Sequence, residues 1–165
     1  HDVLIEALAP LNSLPWQARF VGGKDFDPAW ARGLQERVAR LGLSQRIELA
    51  GTVEDAQSEY QQADVFVLPS RFEGYGMVFA EALAAGLPVI AARSGAVPDV
   101  VPEAAGLLVA PDDVEALTEA LQKILTSAAL RQSLQAGARK AAATLPSWTD
   151  TASLVAKKLE EVKSS

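Results

Sequence analysis

The chain has 165 residues, 49% of them hydrophobic, and a formal charge of −6 from 15 basic and 21 acidic side chains. That length fits one ordinary domain of about 100–200 residues, which buries roughly 70% of its unfolded surface. The composition excludes a disordered segment, the lack of Cys excludes a disulfide scaffold or cysteine–metal site, and a single His, His1, excludes a histidine triad or a His-rich metal site within this chain. Net negative charge argues against nucleic acid as a partner. The longest apolar stretch, residues 78–92, is broken by Glu81, Gly86 and Pro88, and a bilayer span needs about 20 residues. With no basic leader, the expected compartment is the cytoplasm.

Short apolar runs alternate with amphipathic segments along the chain. Residues 2–10 read as a helix through Val3, Leu4 and Leu8, and residues 19–21 as a strand closing on Gly22-Gly23. Residues 28–41 predict a helix with Trp30, Leu34, Val38 and Leu41 on one stripe. Asp27 is its expected N-cap, Pro28 its first residue and Gly42 its C-cap. A second strand is predicted at 47–50, closing on Gly51, then a short helix at 55–62 and a third strand at 64–68, closing on Pro69-Ser70. A helix over 77–85 stops at Gly86 and Pro88 and leads into strands at 88–92 and 107–110. Helices follow at 112–125, where Val114, Leu117, Leu121 and Ile124 share a face, and at 130–143 and 147–162. The strands are close to continuously apolar, as strands covered on both faces are. The pattern predicts an α/β fold: a Rossmann-like, doubly wound parallel sheet with helices on both faces and extra C-terminal helices. Trp16, Trp30 and Trp148 are expected in the core. Residues 1–165 read as a single domain truncated at its start, because the opening helix has no strand before it.

The informative segment runs from Pro69 to Gly95. A buried strand ends at Leu68, the chain passes Glu73-Gly74-Tyr75-Gly76, and a helix opens at about Met77. Glycines ahead of a helix permit close backbone approach. The helix start presents unpaired N–H groups and the positive end of the dipole. Together, at the carboxyl end of a strand, they suit an anion such as a diphosphate. Glu73 precedes the glycines and Glu81 lies one turn into the helix, in the otherwise apolar setting MVFA-Glu-ALAA. Carboxylates beside a phosphate site suit hydroxyl donors, giving sugar, diphosphate and ribose in a row. The same residues also fit a plain reading, with Glu73 as a helix-start acid and Glu81 as a solvated helix residue. Tyr75, an aromatic between two glycines, has no periodic reason to be there.

The stretch Glu73-GYGMVFA-Glu81 resembles the hallmark of retaining glycosyltransferases of the GT-B fold, family 4. Two Glu are separated by seven residues, with Gly-aromatic-Gly after the first. The resemblance extends over residues 63–70 (ADVFVLPS), 81–91 (EALAAGLPVIA), Gly95 with 98–101 (PDVV) and 106–117 (GLLVAPDDVEAL), and the late Trp148 segment resembles the family's closing helix. It implies the C-terminal, donor-binding half of such an enzyme, with an acceptor-binding N-terminal domain as its partner in the same protein. Glu73 is then the catalytic-site Glu near the transferred sugar, and Glu81 holds the ribose hydroxyls. The backbone of Gly74, Tyr75, Gly76, Met77 and Val78 contacts sugar and phosphates, the Gly51-Thr52-Val53 loop lies along the base, and Gly22 lines the floor. The implied substrate is a nucleotide-diphosphate sugar such as a UDP- or GDP-sugar, with no metal and no cofactor, and any peripheral membrane contact belongs to the other half.

Several departures qualify this. The family's diphosphate-binding Arg and Lys would lie upstream of His1, and Arg71 is not at their matching position and reads as a surface charge. The stretch between Gly95 and Gly106 is short. Isolated, the chain is expected to bind donor weakly and to transfer nothing. The alternatives are a non-catalytic Rossmann-like nucleotide-binding module and a GT-B nucleotide-sugar epimerase. A dinucleotide fingerprint and a P-loop are both absent.

Overall fold

The computed structural model describes residues 1–145 and Ala156. Helix α1 (Asp2–Leu8) runs into a single 3₁₀ turn (Ala9–Leu11), then β1 (Ala18–Val21), α2 (Pro28–Arg40), β2 (Ile47–Gly51) and α3 (Ala56–Gln62). There follow β3 (Phe66–Leu68), α4 (Met77–Ala84), β4 (Val89–Ala92), α5 (Val97–Val100), β5 (Gly106–Val109), α6 (Val114–Thr126) and α7 (Ala128–Ala142). The expected alternation is present. Among the described residues, only the four-residue α5, with a proline at its second position, has no counterpart in the sequence reading. The expected 147–162 helix and Trp148 lie outside the described residues.

Helix ends follow their caps. Asp27 accepts the Trp30 N–H at 2.9 Å, Asp55 the Ser58 N–H at 3.0 Å, and Asp113 the Ala116 N–H at 2.9 Å. Ser127 ends α6 and starts α7, its hydroxyl accepting the Leu130 N–H at 3.2 Å. The Arg131 guanidinium donates to the last α6 carbonyls, Ile124 at 2.6 Å and Leu125 at 3.0 Å.

All strand pairs are parallel, in two hydrogen-bonded sets, β1-β2 and β3-β4-β5. The three-stranded set is covered on both faces, and side-chain alternation divides it cleanly. Val67, Ile90, Leu107 and Val109 join the core built with α1, α2 and α6. Phe66, Leu68, Val89, Ala91 and Leu108 join the core built with α4, α5 and α7. This is why Val89–Ala92 is apolar at every position and buried at every position. The two-stranded set differs from the expectation of continuous apolar strands. Phe20, Ile47 and Leu49 face the first core, while Arg19 and Glu48 pair on the opposite face, where Arg19 Nε also meets Glu59 of α3 at 2.8 Å.

Trp16 and Trp30 lie among the described residues. Trp16 is buried, donates its indole N–H to the Leu11 carbonyl at 2.8 Å and lies under the Arg46 guanidinium. Trp30 does not join the core: it is 47% exposed. Leu34 and Val38, further along the same stripe, reach the core, but Trp30 sits in the first turn of α2 and lines a cleft beside Gly22 and Gly51.

The first turn of α1 ties the strand ends together. The His1 ring packs 5.2 Å from Phe20 of β1. Asp2 pairs at 2.9 Å with Arg71, which follows β3, and Arg71 pairs at 2.8 Å with Asp112, which follows β5. Burial opposes the Asp2 charge, but bonds from Arg71 and the Val3 N–H outweigh it and hold its carboxyl below the usual range.

Candidate functional site

The loop between β3 and α4 is held from behind by the loop after β4. The Ser94 hydroxyl donates to the Arg71 carbonyl at 2.7 Å, and the Ala96 N–H to the Glu73 carbonyl at 2.9 Å. Between these bonds Gly95 has φ +54°, and a Cβ there would lie 2.0 Å from the Glu73 carbonyl oxygen. The two loops therefore touch backbone to backbone.

Glu73 caps its own loop. Its Oε1 accepts the N–H groups of Gly76 at 3.2 Å and Tyr75 at 3.4 Å. Glu73 thus closes the turn that leads into α4, three residues ahead of the Gly76 N-cap, and lies outside the helix's first turn. Gly76 turns the chain into α4 with φ +76°, a left-handed conformation that Gly74 does not need. Beyond the turn, Phe79 and Ala80 donate to the Gly76 carbonyl. Among the described residues the N–H groups of Met77 and Val78 have no acceptor. They are two of the orphan donors every helix start leaves, at the positive end of the dipole. Tyr75, 73% exposed, and Phe72 and Met77, also exposed, surround this opening.

Glu81 lies on the exposed face of α4. Its Oε2 accepts the Tyr60 hydroxyl at 3.0 Å, across from α3. Tyr60 was not singled out in the sequence. It sits in a polar helix, AQSEYQQ, and its partner is 21 positions away. The one available signal was an aromatic in a segment that has no buried face. Burial, with the Glu81 carboxylate beside it, pushes the Tyr60 phenol up to about 12 from 10.0. Tyr60 is therefore a hydrogen-bond donor throughout the neutral range. A raised pKa in the fold gives stability that is complete below about pH 10 and lost as the pH rises through about 12. Urea midpoints between those two pH values are expected to fall in the parent chain and to fall less in Tyr60→Phe. Equal slopes would show that Tyr60 does not carry the alkaline loss.

The remaining expected site residues lie at the other pair of strand ends. The Gly22 N–H donates to the Gly51 carbonyl at 2.9 Å, which joins the loops after β1 and β2 and leaves Val53 half-buried between β2 and α3. Beside them is a mostly apolar cleft of about 150 Å³, lined among others by Gly22, Lys24, Phe26, Trp30 and Gly51. Thus Glu73 to Val78 and Glu81 form one cluster on α4, and Gly22 and Val53 belong to a second. Among the described residues no hydrogen bond or ion pair joins the two clusters directly.

A family model described as glycosyl transferases group 1 matches residues 1–127. The chain belongs to the glycosyl transferases group 1 family. It is 36% identical over 125 residues to the lipopolysaccharide core biosynthesis mannosyltransferase LpsB of Rhizobium meliloti, covering 72% of this chain and 36% of that protein. Among solved structures, sucrose-phosphate synthase from Thermosynechococcus elongatus superposes with a TM-score of 0.89 at 32% identity, over 99% of this chain and 42% of that one. The C-terminal domain of a group 1 glycosyl transferase, LpcC, from Francisella tularensis superposes with a TM-score of 0.78 at 27% identity, over 87% of this chain and 77% of that one. The fold is thus that of a GT-B half-domain, and the chain spans about a third of the length of LpsB. In this glycosyl transferases group 1 chain, Arg71 is committed to Asp2 and Asp112. Among the described residues no helix is long and apolar enough to cross a membrane, and no three His, Cys, Asp or Glu side chains converge to hold a metal ion.

Proposed function

We propose that the chain is the nucleotide-sugar-binding half of a retaining glycosyltransferase acting on an unidentified acceptor. The observation that carries this is the α4 entrance. Two unpaired N–H groups, Met77 and Val78, stand one turn before an exposed carboxylate, Glu81, that keeps an oxygen free. The N–H groups suit the donor diphosphate and the free Glu81 oxygen suits a ribose hydroxyl. The donor is a UDP- or GDP-sugar. The leaving diphosphate is stabilised by the helix start and by basic side chains, without a metal or cofactor. Glu73 orients the transferred sugar once it exchanges its Tyr75 and Gly76 N–H partners for sugar hydroxyls. Gly74 to Val78 line the sugar and phosphates, Val53 lies along the base and Gly22 forms part of the floor.

The basic side chains and the acceptor site come from a preceding part of the protein. Two features support that extension. Among the described residues the β1 and β3 strands each have an edge without a partner, and the start of α1 bridges their ends, where a βα unit would bring in a further strand. A thermal-shift titration with UDP, GDP and ADP tests the reading, with Glu81→Ala alongside. Weak, saturable stabilisation by one nucleotide, lost in the variant, is the expected result, with no sugar transfer by this chain alone. Stabilisation that survives in Glu81→Ala would remove Glu81 from the donor site, and transfer by the isolated chain would refute the need for a second half.

A further inference from the structure

We infer that Tyr60 is a positioning residue, which holds the Glu81 carboxylate in the orientation that accepts ribose hydroxyls. The inference rests on the donor-site reading of Glu81 and adds a residue to it. The Tyr60 hydroxyl has one proton. At 3.0 Å it goes to the Glu81 Oε2, with the Val78 carbonyl a poorer acceptor at 3.5 Å. The donor itself is held rigidly. The Tyr60 ring packs 5.7 Å from Phe66 of β3, and Phe66 meets the fully buried Phe79 of α4 edge-on at 5.6 Å. Helix α3, strand β3 and helix α4 thus share one aromatic stack with the hydroxyl at its outer end.

An exposed Glu on a helix samples several rotamers, and fixing it on a ligand costs entropy. Here one oxygen of the exposed side chain is already tied down by a charge-assisted bond, and among the described residues the second accepts none. The arrangement makes Glu81 an acceptor prepared in advance, and preparation of this kind appears as affinity. It should therefore strengthen only those contacts that pass through Glu81.

Tyr60→Phe keeps the ring stack and removes the hydroxyl. Thermal-shift titrations of the 165-residue chain would use UDP and GDP, each beside its 2′,3′-dideoxy form. The parent is expected to prefer the hydroxyl-bearing nucleotide. In Tyr60→Phe that preference should shrink roughly 5- to 10-fold, while affinity for the dideoxy form stays the same. In a Glu81→Ala background the preference should already be gone, and adding Tyr60→Phe should change nothing further. A full preference retained by Tyr60→Phe, with Glu81→Ala losing it, would overturn the role of Tyr60 and leave that of Glu81 standing. A preference retained by Glu81→Ala would overturn both.

Discussion

Gly95→Ala is expected to lower the melting temperature by about 6–12 °C, the shift that about 3 kcal/mol produces in a chain of this size. Two costs add. Overpacking a filled site costs about 1–3 kcal/mol, and here the obstacle is the Glu73 carbonyl oxygen, 2.0 Å from the new Cβ. A backbone atom cannot swing aside as a flexible side chain does. The second cost is the left-handed conformation, φ +54° at Gly95, which strains an alanine by about 1 kcal/mol. Relief requires the loop after β3 to move away from the loop after β4. That breaks the bond from the Ala96 N–H to the Glu73 carbonyl and shifts the start of α4. Nucleotide stabilisation should therefore fall further than the loss of stability alone explains. The measurement is a melting curve with and without UDP or GDP. An unchanged melting temperature would mean that the loops are not locked together.

Phe79→Ala should cost about 3–5 kcal/mol, the range for removing a fully buried aromatic. Phe79 is 0% exposed and faces the core shared by α4, α5 and α7. Its loss leaves a cavity beneath the helix that carries Met77, Val78 and Glu81, and removes the edge-on partner of Phe66. A urea midpoint gives the stability change, and tyrosine fluorescence follows the loosened Tyr60 ring. Phe79→Leu, which refills much of the volume, should recover most of the loss. A loss below about 1 kcal/mol would show that the core collapses into the space.

Much of this architecture is legible in the sequence because local rules and tertiary packing agree. The Asp27-Pro28 start of α2, the apolar run of β4 and the glycine turn into α4 each follow from the chemistry of a few neighbouring residues. The disagreements have physical causes as well. The β1 and β2 strands read as apolar because Phe20, Val21, Ile47 and Leu49 dominate them, yet Arg19 and Glu48 alternate with those residues and pair with each other, Arg19 also meeting Glu59 of α3. Trp30 has the spacing of a core residue, but spacing does not say which turn of the helix meets the core and which meets the cleft beside Gly22 and Gly51. At the site, the clustering of Glu73 to Val78 with Glu81 follows from the helix itself. The bond from Tyr60 to Glu81 depends on how α3 leans against α4, and no pattern within either helix encodes it.

The division of the strands into β1-β2 and β3-β4-β5 has a mechanical consequence. Parallel strands in one ladder resist sliding, because displacement breaks several directional bonds together. Across the division the two ribbons meet through side chains of one apolar core, and apolar contact is non-directional. In this chain the ribbon bearing Gly22, Gly51 and Val53 is joined to the one bearing α4 by that core and by the start of α1, through His1–Phe20 and Asp2–Arg71, rather than by a ladder. A further strand between β1 and β3 would place both ribbons in one ladder and fix the spacing between the two clusters of site residues.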